Sequence, residues 1–186
     1  MFLRYSMFVV VLILLVSGCE EPDSETIVVP EVTNDHLFYF DVFYSNTVGD
    51  FQLFGTYVDS EGNVVAYDHS FGTWTIGSPW KVTVAELNEK FSVPTDTLGV
   101  INPVTLAKMY GKVEAASLGD MIGSGYTGDG PGILSYCCHV YDKDVGGYVQ
   151  VVFKQVGDFS RSNSSQEAQD LVVWLDSVVS PAVGGD

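Results

Sequence analysis

Runs of aromatic and β-branched residues, separated by turn residues, predict an antiparallel sheet in this chain. The turn segments 59–62 and 142–147 each contain glycine, and each joins two of these runs into a hairpin. In the last run alternate residues are apolar, so we expect Val149, Val151 and Phe153 to face the core. Tyr148, Gln150 and Lys154 should point outward from that core, to water or to a neighbour. The runs predict about five strands: His36–Tyr44, Phe51–Val58, Asn63–Asp68, Ile133–Tyr141 and Tyr148–Lys154.

Two segments between the hairpins carry the start signals of helices. Thr83 and Glu86 have the spacing of a capping box, at the start of a helix that we expect to end near Phe91. Asn102 followed by Pro103 predicts the start of a second helix, because asparagine caps a helix and proline suits its first position. We expect this second helix to continue to about residue 116.

The C-terminal segment predicts one more helix. Ser164 and Glu167 are spaced as another capping box. The apolar residues that follow recur at helical spacing and form a stripe suited to packing on a sheet: Ala168, Leu171, Val172, Leu175 and Val178. The predicted fold is therefore α+β, an antiparallel sheet of about five strands with an inserted helical pair and a C-terminal helix.

Residues 117–132 form a glycine-rich segment between the predicted helical pair and the second hairpin. Long loops of this kind are either functional or mobile. The segment lacks the lysine of a phosphate-binding loop, and the carboxylates of Asp120 and Asp129 would repel a phosphate. Asp120 and Asp129 are instead candidate ligands for a cation or a sugar hydroxyl, and a plain connection is the alternative interpretation.

The first 18 residues have the layout of a signal peptide. Arg4 precedes the apolar run Met7–Val16, and the small residues Ser17 and Gly18 follow it. A helix that crosses a bilayer needs about 20 apolar residues, and this run has about half that number. The pattern therefore predicts export of residues 19–186.

Val16-Ser17-Gly18-Cys19 resembles the lipobox of bacterial lipoproteins. The resemblance implies that the Cys19 thiol is alkylated with diacylglycerol and becomes the new N-terminus. It implies a location in the bacterial cell envelope, with the membrane as a partner through the lipid anchor. If the host is Gram-negative, Glu20 after the cysteine implies the outer membrane. Two or three acyl chains hold a protein stably, whereas one alone holds it only marginally.

Charge and composition divide the exported chain into a tether and one domain. Residues 19–35 comprise the lipidated cysteine and an acidic, proline-containing spacer, and residues 36–186 have the length of a single globular domain. The chain has 24 acidic and 8 basic residues, and loss of Arg4 with the leader changes the net charge from −16 to −17. Such a surface repels nucleic acid and favours either simple solubility or a basic protein partner.

Cys137 and Cys138 are adjacent, so on a strand their side chains point to opposite faces. We expect two reduced, buried thiols, with a strained vicinal disulfide or a reactive pair as alternatives. Cys137 and His139 share a face, but two ligands are too few for a structural zinc site. We predict no metal site, no cofactor and no catalytic set.

The segment Leu87–Pro103 is similar to the middle of a LysM peptidoglycan-binding module, with an aliphatic, an aromatic, a valine, a leucine and an Asn-Pro pair at that module's spacing. The similarity departs at Lys81–Val84, where the module has Gly-Asp-Thr-Leu, and again after Asn102, where a helical pattern replaces the module's strand. The closing unit, 156–175, resembles the ends of uncharacterised bacterial secreted proteins, and this likeness implies no role.

Three function classes follow from the sequence. The favoured one is non-catalytic binding, for example by an inhibitor or immunity-type protein whose acidic surface meets a basic enzyme. The second is carbohydrate or peptidoglycan binding, with exposed Trp74 and Trp80 beside Tyr57 as the ligand-binding residues. The third is a hydrolase that uses Asp120 and Asp129, which requires these carboxylates to converge in a cleft.

Overall fold

A computed structural model describes residues 37–46, 51–70, 81–124, 132–158 and 160–179 of the protein. The strands are β1 (Phe38–Asn46), β2 (Gln52–Asp59), β3 (Asn63–Asp68), β4 (Lys81–Val82), β5 (Pro94–Val100), β6 (Met121–Ser124), β7 (Ile133–Asp142), β8 (Gly147–Gly157) and β9 (Ser160–Asn163). The helices are α1 (Val84–Lys90), α2 (Pro103–Tyr110), α3 (Val113–Ser117) and α4 (Gln166–Val179).

All the described strands belong to one antiparallel sheet with the order β5-β3-β2-β1-β7-β8-β9-β6, and β4 pairs with β8. The α+β class, the two hairpins and the C-terminal helix of the sequence prediction are confirmed, but the strand number is wrong, because the described sheet has nine strands rather than five. In the first hairpin Gly62 closes the turn with φ +95°, and its N–H donates to the Asp59 carbonyl at 3.0 Å. Only glycine adopts such a conformation without steric cost.

The sheet is covered on both faces, and β1 lies at its centre. Phe38, Phe40 and Val42 pack into one core with α2, α3 and α4, whereas Tyr39 and Phe43 pack into a second core with α1. This division follows from the two-residue period of a strand. The expected outward position of Tyr148 is therefore wrong, because Tyr148 is fully buried in the second core.

The predicted helical pair is interrupted by a strand. The Thr83–Glu86 capping box is present at the start of α1, and Asn102 caps α2 by accepting a hydrogen bond from the Val104 N–H at 2.9 Å. Between these helices, β5 pairs with β3 at the edge of the sheet. The arrangement helix-strand-helix does not match the helical middle of a LysM module, which is the part of the module that residues 87–103 resemble in sequence.

Helix α4 packs its apolar stripe on the first core, as predicted. Its cap is Ser165 rather than Ser164, since the Ser165 hydroxyl accepts a hydrogen bond from the Ala168 N–H at 3.1 Å. Buried Asn163 fixes the start of α4, because its side-chain amide donates to the Ala116 carbonyl at 2.7 Å and accepts from the Ser165 N–H at 2.9 Å. None of the helices within the described ranges has the length and apolar character needed to span a membrane.

Candidate functional site

A cluster of polar side chains is buried in the second core, under α1. Asp41 lies on β1 and His139 on β7, at odd-numbered positions that point to the same face of the sheet. Lys90 reaches this face from the last turn of α1, and Tyr67 reaches it from β3. All four side chains are at least 98% buried, so the cluster is screened from water.

The Asp41 carboxylate is the centre of the cluster. One oxygen, Oδ2, accepts a hydrogen bond from the Lys90 ammonium at 2.6 Å and lies 3.3 Å from His139 Nε2. The other, Oδ1, accepts from the Tyr67 hydroxyl at 3.0 Å. The ammonium also stands 3.4 Å from the centroid of the Phe43 ring, within the range of a cation–π interaction. A buried carboxylate needs such partners, because an unpaired charge in a protein interior is strongly unfavourable.

The charges in the cluster are set by burial and by these partners. Burial alone would raise the pKa of Asp41, but the attraction of Lys90 and the hydrogen bond from His139 hold that pKa below its usual value. Burial lowers the pKa of His139, and the charge of Lys90 opposes protonation further. At neutral pH the cluster is therefore an Asp41–Lys90 ion pair beside a neutral imidazole.

Cys137 completes the cluster but is not a nucleophile in this state. Its Sγ atom lies 3.7 Å from His139 Nε2 and accepts a hydrogen bond from the Gln150 amide at 3.2 Å. Burial, reinforced by the negative charge of Asp41, raises the pKa of the Cys137 thiol to about 12. Since the thiolate is the reactive form, the thiol is inert at neutral pH.

Asp41, Cys137 and His139 offer three potential metal-ligand atoms within 4.8 Å of one another. The chemistry of the cluster nevertheless fits an ion pair better than a metal ion. The Lys90 ammonium already forms an ion pair with the Asp41 oxygen that would bind a cation. The Cys137 thiol, moreover, carries its proton at neutral pH, whereas a metal binds the thiolate.

The expectations for the two cysteines are confirmed. Neither Cys137 nor Cys138 forms a disulfide, and both are fully buried. Their side chains lie in different cores, on opposite faces of β7. The sequence therefore located Cys137 and His139 on one face, but it did not indicate Asp41 and Lys90. The available signal was a single acid inside the aromatic run of β1.

The predicted ligand-binding residues do not come together in the described part of the protein. Tyr57 has no solvent exposure and stacks on Phe91 with ring centroids 4.1 Å apart, so it belongs to the core. Asp120 is exposed in the connection before β6, where its N–H donates to the Ser164 hydroxyl at 3.1 Å. Trp74, Trp80 and Asp129 lie outside the described residues, as does Cys19.

A groove of about 850 Å³ lies on the other side of the sheet. It runs between the α2–α3 connection and the end of the β7–β8 hairpin, next to the start of β1. We refer to its large apolar lining residues as the floor: Leu37, Tyr110, Val113, Val140, Val149 and Val151. The volume lies within the range of about 300–1,000 Å³ that is typical of small-ligand sites in proteins.

The rim of this groove is acidic. It carries Glu114 from α3, Asp142 and Asp144 from the β7–β8 hairpin, and one cation, Lys143. The nearby Lys112 does not add to the positive charge of the rim, because its ammonium forms a salt bridge with Asp170 of α4. Three carboxylates against one ammonium leave the rim with a formal charge of −2 at neutral pH.

Comparisons of this chain with known protein families, with curated proteins and with solved structures gave no match.

Proposed function

We propose that this protein is a lipid-anchored component of the bacterial cell envelope that acts by binding a basic partner rather than by catalysis. The anchor is the lipid on Cys19, and the membrane is the outer membrane if the host is Gram-negative. An inhibitor or immunity-type role toward a basic enzyme fits this proposal.

One structural observation carries the proposal. The residues that most resemble a catalytic set in the described part of the protein, Cys137, His139 and Asp41, are buried and already engaged with one another. A nucleophile and its base need access to substrate and a pKa suited to proton transfer. The buried imidazole has no access to substrate, and a thiol pKa of about 12 is unsuited to proton transfer at neutral pH. Binding at the surface is the role that these features favour.

The charge of the chain supports a basic partner. With 24 acidic and 8 basic residues, the protein produces a negative field that attracts cations and repels anionic polymers. Electrostatic attraction of this kind increases the rate of association and helps to exclude wrong partners. The acidic rim of the groove places negative charge next to an apolar surface.

A pull-down from an envelope extract tests the proposal. The full chain, extracted with its anchor in detergent and immobilised, should retain a basic protein at about 0.05 M salt and release much of it at about 0.5 M. Over that range the screening length falls from about 14 Å to about 4 Å. Recovery of sugar polymers alone, with no dependence on salt, would contradict the proposal and favour the carbohydrate-binding interpretation.

A further inference from the structure

We infer that the groove between the α2–α3 connection and the β7–β8 hairpin is the docking site for a lysine- or arginine-rich segment of the partner that inserts one bulky apolar side chain. This inference rests on the proposed function and names its site. The segment's apolar side chain would lie on the groove floor, and its cations would lie at the rim.

The floor is suited to an apolar anchor because it is apolar, accessible and held in place. Leu37 is 60% exposed, although it is a large aliphatic residue at the start of the central strand. Tyr110 is stacked against Phe38 with ring centroids 4.0 Å apart and an angle of 12° between the ring planes. A floor that is already ordered loses little conformational entropy when a ligand binds, which increases affinity.

The rim determines the charge of the occupant. Glu114 and Asp144 are exposed and line the groove from two different elements, α3 and the β7–β8 turn. Asp142, the last residue of β7, is held in place because its Oδ1 accepts hydrogen bonds from the N–H groups of Asp144 and Val145 at 2.8 and 3.3 Å. An anionic or neutral segment would gain nothing from this rim, whereas cations beside an apolar anchor would meet carboxylates contributed by both elements.

Two synthetic peptides serve as probes of the site. One has four lysines around a central phenylalanine, and the other has alanine in place of the phenylalanine. Binding of each labelled peptide to the full chain in detergent is measured by fluorescence anisotropy at about 0.05 M salt. We expect the phenylalanine peptide to bind at least about tenfold more tightly, because only its side chain buries apolar area on the floor.

Two sets of variants separate the rim from the floor. Glu114→Lys with Asp144→Lys reverses the charge of the rim and should weaken binding of both peptides about tenfold or more. Glu61→Lys with Asp96→Lys is the matched control, because it makes the same change in net charge at exposed positions that do not line the groove. This control should weaken binding less than threefold.

Gly111→Phe tests the floor. Gly111 lines the groove in a right-handed helical conformation, and a Cβ atom there would meet its nearest neighbour, the Ala107 carbonyl oxygen, at 3.4 Å, which is an ordinary van der Waals contact. The added ring should weaken the phenylalanine peptide about tenfold and leave the alanine peptide nearly unchanged. Ala107→Phe is the control, since Ala107 is an exposed residue of α2 that does not line the groove.

Several outcomes would overturn the inference. One is equal weakening by the rim and control pairs, and another is equal affinity for the two peptides. A third is peptide binding that arises only when residues 20–34 are deleted, because the tether would then be the occupant. Dimerisation of the chain that is lost on Gly111→Phe would identify a second copy instead. In each of these cases salt-sensitive capture of a basic protein would still stand, so failure of the site is distinguishable from failure of the proposed function.

Discussion

The buried Asp41–Lys90 ion pair makes a quantitative prediction for stability. Asp41→Asn removes the negative charge 2.6 Å from the Lys90 ammonium and leaves that ammonium at 1% exposure without the Asp41 charge beside it. Removal of one partner from a buried ion pair costs about 3–5 kcal/mol of unfolding free energy. Domains of this size have a total stability of about 5–15 kcal/mol, so the variant should be marginally folded.

Lys90→Met removes the other charge of the ion pair. Methionine has a similar length and packs well against the Phe43 ring, but the Asp41 carboxylate loses its cation. His139, 3.3 Å away, can take up a proton and restore part of the balance. We therefore expect a smaller loss of stability than for Asp41→Asn, together with a rise in the pKa of His139.

The double variant Asp41→Asn with Lys90→Met should recover most of the lost stability. With both charges removed, the unfolding free energy should lie within about 2 kcal/mol of the wild-type value, because replacement of a whole buried pair is often nearly neutral. The coupling between the two sites should then be about 3 kcal/mol.

Urea unfolding monitored by circular dichroism measures all four proteins. Asp96→Asn and Lys108→Met are matched controls at exposed positions and should change stability by about 0.5 kcal/mol or less. Strict additivity of the two single variants would refute the reasoning, as would a cost below about 1 kcal/mol for Asp41→Asn.

Three further predictions follow. Because burial lowers the pKa of His139 from 6.5, the unfolded chain binds a proton that the folded chain does not, so stability should decline as the pH falls below 6.5, and less steeply in His139→Gln. The pKa of Asp41 is lowered from 3.8, so a second loss of stability should follow below pH 3.8. Identical urea midpoints at pH 7 and pH 5 would count against this account. Cys138 is fully buried in the first core, so Cys138→Asp should lower stability by about 3 kcal/mol or more, and Cys138→Ala should lower it by less. Equal melting temperatures for these two variants and the wild type would argue against burial. Metabolic palmitate labelling should mark the wild-type protein and not Cys19→Ala, and equal labelling of the two would exclude the anchor.

Local sequence signals located the elements that they specify directly. The Thr83–Glu86 box and the Asn102-Pro103 pair each began a helix, because caps act within one turn of the chain. The two-residue period of a strand placed Cys137 and His139 on one face. These features depend only on neighbouring residues.

The missed strands are those in which local composition contradicts the structure. Strand β5 contains Pro94 and Gly99 and is mostly exposed, which is acceptable only because it lies at an edge of the sheet. Strands β6 and β9 are only four residues each; β9 consists of polar residues, and β6, which contains Gly123, forms the other edge. Pairing with partners distant in sequence, rather than intrinsic propensity, determines these strands.

The candidate sites depend on still longer separations. Lys90 and Asp41 are 49 residues apart, so no motif spacing relates them. The groove combines the start of β1, the α2–α3 connection and the β7–β8 hairpin. Sequence pattern predicts the start of β1 and the β7–β8 hairpin, but it predicts one continuous helix to about residue 116 where the structure has the separate helices α2 and α3. The juxtaposition of the three pieces follows from the strand order of the sheet.

The most direct test of the central claim is a parallel capture from one envelope extract at low salt. The wild-type chain, the rim variant Glu114→Lys with Asp144→Lys, and the control Glu61→Lys with Asp96→Lys are immobilised side by side, and retained proteins are quantified by mass spectrometry. We predict that the wild type and the control retain the same basic protein and that the rim variant loses it. Equal retention by all three would contradict docking at the groove, and retention of no basic protein by any of them would contradict the proposed function itself.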